Sequence, residues 1–119
     1  MDTRELGKLG EDLAAEFLTK RGWRILARNL RLDRAELDIV AKDRDTTVFV
    51  EVKTRRSFSH GLPGEAVNRR KQQQIIKAAQ LYLLQKNCFD APCRFDVVEV
   101  FFRTEYDFEI NLISGAFET

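Results

Sequence analysis

Asp38, Glu51 and Lys53 stand in two segments, Ala35-Glu36-Leu37-Asp38-Ile39-Val40 and Val48-Phe49-Val50-Glu51-Val52-Lys53, each alternating apolar side chains with others. Alternation at period two reads as a half-buried β-strand. The polar stretch Asp43-Arg44-Asp45-Thr46 between them predicts an antiparallel hairpin. Pairing apolar with apolar sets Leu37, Ile39 and Ala41 opposite Val52, Val50 and Val48. The same register puts Asp38 across from Glu51 and Glu36 across from Lys53 on the other face, with Cβ atoms about 4.5–5.5 Å apart. Two carboxylates that close oppose the sheet by up to about 1 kcal/mol, and by more where Val40 and Phe49 help cover the face. A cation between them reverses the sign. Short acidic side chains offering only oxygen suit a hard divalent ion, Mg²⁺ or Mn²⁺, which makes Asp38 and Glu51 candidate metal ligands. Lys53, two residues beyond Glu51, adds a fixed positive charge on that face. An acidic metal nest beside a lysine is the outline of phosphoryl chemistry. The plainer alternative, exposed Glu36–Lys53 and Asp38–Lys53 ion pairs worth about 0–1 kcal/mol, leaves Asp38 against Glu51 unexplained.

The elements that must hold these residues follow from periodicity. Leu6, Leu9, Leu13 and Phe17 recur at helical spacing, predicting a first helix over Thr3–Lys20 that Gly22 ends. Glu11 lies beside that apolar stripe among Gly7, Ala14, Ala15 and Leu18, either as a carboxylate aimed inward or as an acid that simply favours the helix dipole. Trp23–Arg28 reads as a strand ahead of the hairpin, and Ser57–Gly64, with its His60-Gly61 and Pro63-Gly64 pairs, as a loop. A second helix is predicted over Glu65–Lys86, with Val67, Ile75, Ala78, Ala79 and Tyr82 inward. Phe95–Phe102 and Phe108–Ile113 close the chain as a hairpin turning at Thr104-Glu105. The order αβββαββ implies an α/β fold, a mixed sheet flanked by helices.

A chain of 119 residues, 44% apolar and 33% charged, supports one domain over residues 1–119. No apolar run nears the roughly 18 residues that span a bilayer, and the start Met1-Asp2-Thr3-Arg4-Glu5 lacks a secretory core, so a cytoplasmic protein with no membrane partner is expected. Cys88 and Cys93 are then expected reduced, and with His60 the sole histidine no zinc site is expected. The net charge of +1 argues against a generic polyanion binder, but its distribution is uneven. Arg55, Arg56, Arg69, Arg70 and Lys71 cluster after the acidic pair, whereas acids gather beyond Asp90. A basic flank on an acidic nest fits a phosphate-backbone ligand, with a solvated charged surface as the alternative.

With Glu11, Asp38 and Glu51-Val52-Lys53 placed, the chain resembles the restriction-endonuclease-like PD-(D/E)xK nucleases. More closely, it is similar to the YraN-like family of small bacterial proteins, kin to archaeal Holliday-junction resolvases. The resemblance runs from Gly7 to Val100. Its carriers are Gly7-x-x-Gly10-Glu11, Arg28-Asn29, Glu36-Leu37-Asp38, Phe49-Val50-Glu51-Val52-Lys53-Thr54-Arg55, Lys71 and Arg94-Phe95-Asp96-Val97-Val98. Leu37 stands where the superfamily signature has Pro, and Ala35 where the family usually has Gly; neither change removes a ligand. The resemblance implies a restriction-endonuclease-like core and a Mg²⁺- or Mn²⁺-dependent endonuclease, with Asp38 and Glu51 as metal ligands, Lys53 as the third motif position and Glu11 as the helix carboxylate. Lys53 then serves as water positioner and charge stabiliser, and not as general base. Arg55, Arg56, Arg69, Arg70 and Lys71 would hold backbone phosphates of a nucleic acid, DNA being favoured, with branched or structured DNA among the substrates. Two rivals remain open: a non-catalytic nucleic-acid-binding module, and an interaction subunit using the aromatic end of the chain. A homodimer would follow if Phe102 and Phe117 shared an exposed patch.

Overall fold

Asp2 opens the first helix, α1 (Thr3–Lys20), by accepting the Glu5 backbone N–H at 2.8 Å while the Glu5 carboxylate accepts the Asp2 N–H at 3.5 Å, a reciprocal cap. Gly22, at φ +92°, turns the chain out of the helix in the left-handed conformation that glycine adopts without strain. This computed structural model describes residues 1–56, 67–88 and 90–118. Five strands follow in one sheet of order β1-β2-β3-β4-β5: β1 (Arg24–Leu32), β2 (Ala35–Asp43), β3 (Thr46–Arg56), β4 (Cys93–Thr104) and β5 (Asp107–Phe117). Only the β3–β4 pair is parallel, and the second helix, α2 (Arg69–Gln85), lies in the crossover between them. The order αβββαββ and the mixed sheet are those read from the sequence. The predicted Ser57–Gly64 loop and the Glu65 start of the second helix lie outside the described residues. Asn68 caps α2 by accepting the Lys71 backbone N–H at 2.9 Å.

Each helix seals one face of the sheet. Under α1 lie Leu6, Ala14 and Leu18 with Ile39, Ala41, Val48, Val50, Val52, Val98, Val100 and Phe102. Under α2 lie Ile75, Ala78, Ala79, Tyr82 and Leu83 with Ala35, Leu37, Val40, Phe49 and Phe95. Gly10 brings α1 down onto β3: a Cβ there would overlap Thr54 Oγ1. Phe102 is buried on the α1 side and Phe117 packs on the α2 side, stacked on Phe95, so the two share no exposed patch and the route to a homodimer through them is removed.

The β2–β3 register is as expected where it runs, with Ile39 opposite Val50, Val40 opposite Phe49 and Ala41 opposite Val48. It stops at Ile39, and Ala35–Leu37 pair only with β1, through Leu32, Arg31 and Leu30. Leu37 therefore does not face Val52. It joins the α2 core, whereas Ile39 and Ala41 face α1. The cause lies in β1, where Asn29 adopts φ +51° between the pairs Arg28–Ile39 and Leu30–Leu37 and so sits opposite Asp38. A left-handed residue interrupts the pleat and resets which side chains point to which face. β1 is also longer than the predicted Trp23–Arg28, because apolar alternation resumes beyond Asn29 with Leu30 and Leu32 on the α2 side.

Candidate active site

Where β2 leaves β3, the ladder is closed by a side chain. The Asp38 carboxylate accepts the Val52 N–H at 2.9 Å, taking the place of a strand–strand bond. Glu51, 5% exposed, is the acid on β3, and its charge acts on Asp38. Burial first, and then Glu51, push the Asp38 carboxyl up to about 7, with Glu11 adding to the rise while Val52 and Lys71 oppose it. Two acids are thus held together in a poorly solvated notch, one of them close to neutral pH in its affinity for a proton.

The gap admits groups from both sides of the sheet. From α1 comes Glu11, raised above its ordinary range by burial and by Glu36, against Arg28 and Asn29. Asn29, with its amide turned as these neighbours require, donates to Glu11 at 2.7 Å and to Glu36 at 3.1 Å. Arg28 beside it is tied to Asp12 at 2.7 Å. From α2 comes Lys71, whose Nζ lies 2.7 Å from Glu51 Oε1. Burial lowers the ammonium's pKa, but the bond to Glu51 and the surrounding acids outweigh it and hold it above the usual 10.5. Lys53 is half-buried and lines a cavity of about 440 Å³ with Thr3, Gly7, Glu11, Thr54 and Arg56, between the start of α1 and the end of β3.

The structure therefore brings Glu11, Asp38, Glu51 and Lys71 to one notch with Lys53 alongside. The cations proposed for phosphates part company. Arg55 is 16% exposed and its Nε lies 3.3 Å from Glu99, inside the protein. Arg56 donates to the Met1 carbonyl at 3.2 Å, beside the start of α1. Arg69 and Arg70 project from the first turn of α2, exposed, and with Lys71 they make a first turn without an acid. Three cations at the positive end of a helix oppose its dipole by some tenths of a kcal/mol each. Neither Glu36–Lys53 nor Asp38–Lys53 forms an ion pair among the described residues. Sequence reasoning did not assign Asn29 a role or pair Lys71 with Glu51; the second was hidden because it joins elements twenty residues apart.

The donor set suits a hard cation: carboxylate oxygens without sulfur or imidazole, buried and crowded enough to push one acid up to about 7. Among the described residues no three His, Cys, Asp or Glu side chains are arranged to enclose an ion. Two carboxylates are what Mg²⁺ commonly takes from a protein, keeping waters or substrate oxygens for the rest of its shell. Asp38 and Glu51 would hold it.

The mixed five-stranded sheet with a helix on each face, in the order αβββαββ, is the restriction-endonuclease-like fold of the family to which the chain belongs. The chain belongs to the YraN-like family, matching the Uncharacterised protein family UPF0102 over residues 10–100. It is 48% identical over 115 residues to the UPF0102 protein STH1475 of Symbiobacterium thermophilum, covering 97% of this chain and 98% of that one. It is 46% identical over 118 residues to a UPF0102 protein of Caldicellulosiruptor saccharolyticus, covering 98% and 100%. Among solved structures, Pyrococcus furiosus SfsA in complex with Ca²⁺ is similar at a TM-score of 0.42 and 17% identity, over 95% of this chain and 64% of that one, a likeness too slight to carry an argument. No helix among the described residues is long and apolar enough to cross a membrane.

Proposed function

We propose that this chain is a cytoplasmic, single-domain nuclease that hydrolyses DNA phosphodiesters with Mg²⁺ or Mn²⁺, branched or structured DNA included. The observation that carries the reading is the convergence of Glu11, Asp38, Glu51 and Lys71, from four elements and both sheet faces, on the notch where β2 and β3 part. A bound divalent ion would lower the pKa of a coordinated water and offset charge on the phosphate. Asp38 and Glu51 would supply the oxygens that hold it. Lys53 orients the attacking water and stabilises the developing negative charge. Glu11, steadied by Asn29, completes the acidic wall on the α1 side. Arg69 and Arg70 meet flanking phosphates, and the helix dipole they oppose adds to the positive potential there.

A second reading is favoured by one specific contact. Lys71 already provides Glu51 with a counter-charge, so the fold and basic turn could serve a module that binds nucleic acid without cutting it. Supercoiled, forked and four-way DNA incubated with Mg²⁺ or Mn²⁺ separates the two. The nuclease reading expects cleavage lost in chelator and in Glu51→Gln. Binding without cleavage, indifferent to chelator and to Asp38→Asn, establishes the module. Cleavage that survives Glu51→Gln excludes this notch as its source.

A further inference from the structure

Lys71 belongs to a different element from the acids it meets, and three facts fix how it reaches them. Its backbone N–H is held by the Asn68 cap, so the first turn of α2 is anchored beneath it. Its Nζ lies 2.7 Å from an oxygen of Glu51, a side chain only 5% exposed. Its own side chain is 43% exposed, so the ammonium bridges the notch and open solvent while Glu51 does not. A buried carboxylate needs a counter-charge, and a lysine offers a mobile one: a point charge on a four-carbon stem that can swing without disturbing the backbone. Arg69 and Arg70 sit beside it in the same turn, on the outward side where a phosphate backbone would lie.

Resting on the metal reading above, we propose that Lys71 is a tethered stand-in for the divalent ion. In the metal-free protein its ammonium supplies the counter-charge that holds the buried Glu51 side chain in place. When a divalent ion is bound, Lys71 gives up that oxygen and turns outward to join Arg69 and Arg70 on the substrate's phosphates. Lys71 is then a positioning residue that couples metal loading to nucleic-acid binding. The repulsion between the acids is eased before the ion arrives, and a phosphate-binding cation is released when it does.

The test uses the full-length chain and Mn²⁺ alone, followed by calorimetry and by electron paramagnetic resonance of free Mn²⁺. Removing the competitor with Lys71→Met is expected to tighten Mn²⁺ binding about tenfold, the lower end of what a hydrogen bond between charged groups contributes. Thermal melts should show Lys71→Met less stable than wild type without metal, and the gap closing as Mn²⁺ is added. Should that variant fail to fold, Lys71→Arg serves: its guanidinium can grip the carboxylate with two bonds, and Mn²⁺ binding is expected several-fold weaker than in wild type. Mn²⁺ affinity equal across wild type and whichever variant folds, or weaker in Lys71→Met, overturns the stand-in and leaves the metal site intact. If no chain binds Mn²⁺ at millimolar concentration, the metal reading fails and takes this proposal with it.

Discussion

Asp38→Asn should make the metal-free protein more stable, and increasingly so as pH rises. The wild-type carboxyl is pushed from its ordinary 3.8 up to about 7 in the folded chain, chiefly by burial and by Glu51. An acid whose folded pKa is raised works against the usual sign: between about pH 4 and 7 the native state binds the proton more tightly than the unfolded chain does. Stability is therefore intact below pH 4, falls by up to about 1.4 kcal/mol per pH unit up to pH 7, and is level above it. The full range is about 4 kcal/mol, of which we expect about 2 kcal/mol to appear, because Glu11 and Lys71 titrate or shift in the same field. Asparagine keeps an oxygen for the Val52 N–H and carries no charge, so it escapes the penalty. For a chain of this size, about 2 kcal/mol is a rise in Tm of about 8 °C at pH 8, shrinking toward zero near pH 4. The assay is a series of thermal melts in chelator from pH 4 to 8.5. With Mn²⁺ present the order should invert, since the ion stabilises the ionised acid and asparagine binds it poorly. A variant less stable than wild type in chelator at pH 8, or a difference that does not change with pH, refutes the account of a crowded buried carboxylate.

Gly10→Ala should cost about 1–3 kcal/mol in denaturant unfolding, because its Cβ would overlap Thr54 Oγ1 and the branched threonine has little freedom to yield. Arg94→Met should cost about 3 kcal/mol by the same measurement. It strips the fully buried Asp96 of a guanidinium contact at 3.1 Å to both oxygens and leaves, among the described residues, Ser114 and Gly115 as its donors. Replacing Arg69 and Arg70 together by alanine should weaken DNA binding and flatten its dependence on salt by about two ion equivalents, read from anisotropy titrations between 50 and 200 mM salt, roughly the window in which such contacts are strongest to weakest. Arg55→Ala should leave that slope unchanged, since its guanidinium faces Glu99 inside the protein.

Periodicity carried the fold. Leu6, Leu9, Leu13 and Phe17 located α1 to its ends, and the Val48–Val52 alternation set the sheet face and the register with Ile39 and Ala41. It failed at one place. Period two carried through Asp38 puts Leu37 on the Ile39 face, and nothing in a string of side-chain types announces that Asn29, one strand away, takes a left-handed conformation opposite it. Asn is the non-glycine residue in which that conformation is least unusual, so Arg28-Asn29 held the only local hint. The acids were legible as a crowded pair because they are close in the predicted hairpin. Lys71 was legible only as one of several cations, and Arg55 as another, since a run of basic residues says nothing of which will turn inward. Charge counting could not separate Lys71, which meets Glu51, from Arg55, which meets Glu99.

The break in the ladder is also what makes the chemistry testable. A sheet built for stability alone would continue the β2–β3 pairing past Ile39–Val50 and put a β-branched residue at position 38. Here the pairing is abandoned, a left-handed Asn29 redirects β1, and an acid closes the last bond by accepting the Val52 N–H. Asp38 therefore has two duties, as a strand-end acceptor and as a charge, and alanine would remove both at once. Loss of activity in Asp38→Ala would be equally consistent with a frayed β3 and with a missing ligand. Asparagine retains the acceptor and deletes the charge; if Asp38→Asn holds the Val52 amide protected in hydrogen exchange yet no longer binds Mn²⁺, the charge is the functional duty and the hydrogen bond the structural one. Should the Val52 amide exchange freely in Asp38→Asn, the ladder itself depends on the negative charge, and the two duties cannot be divided.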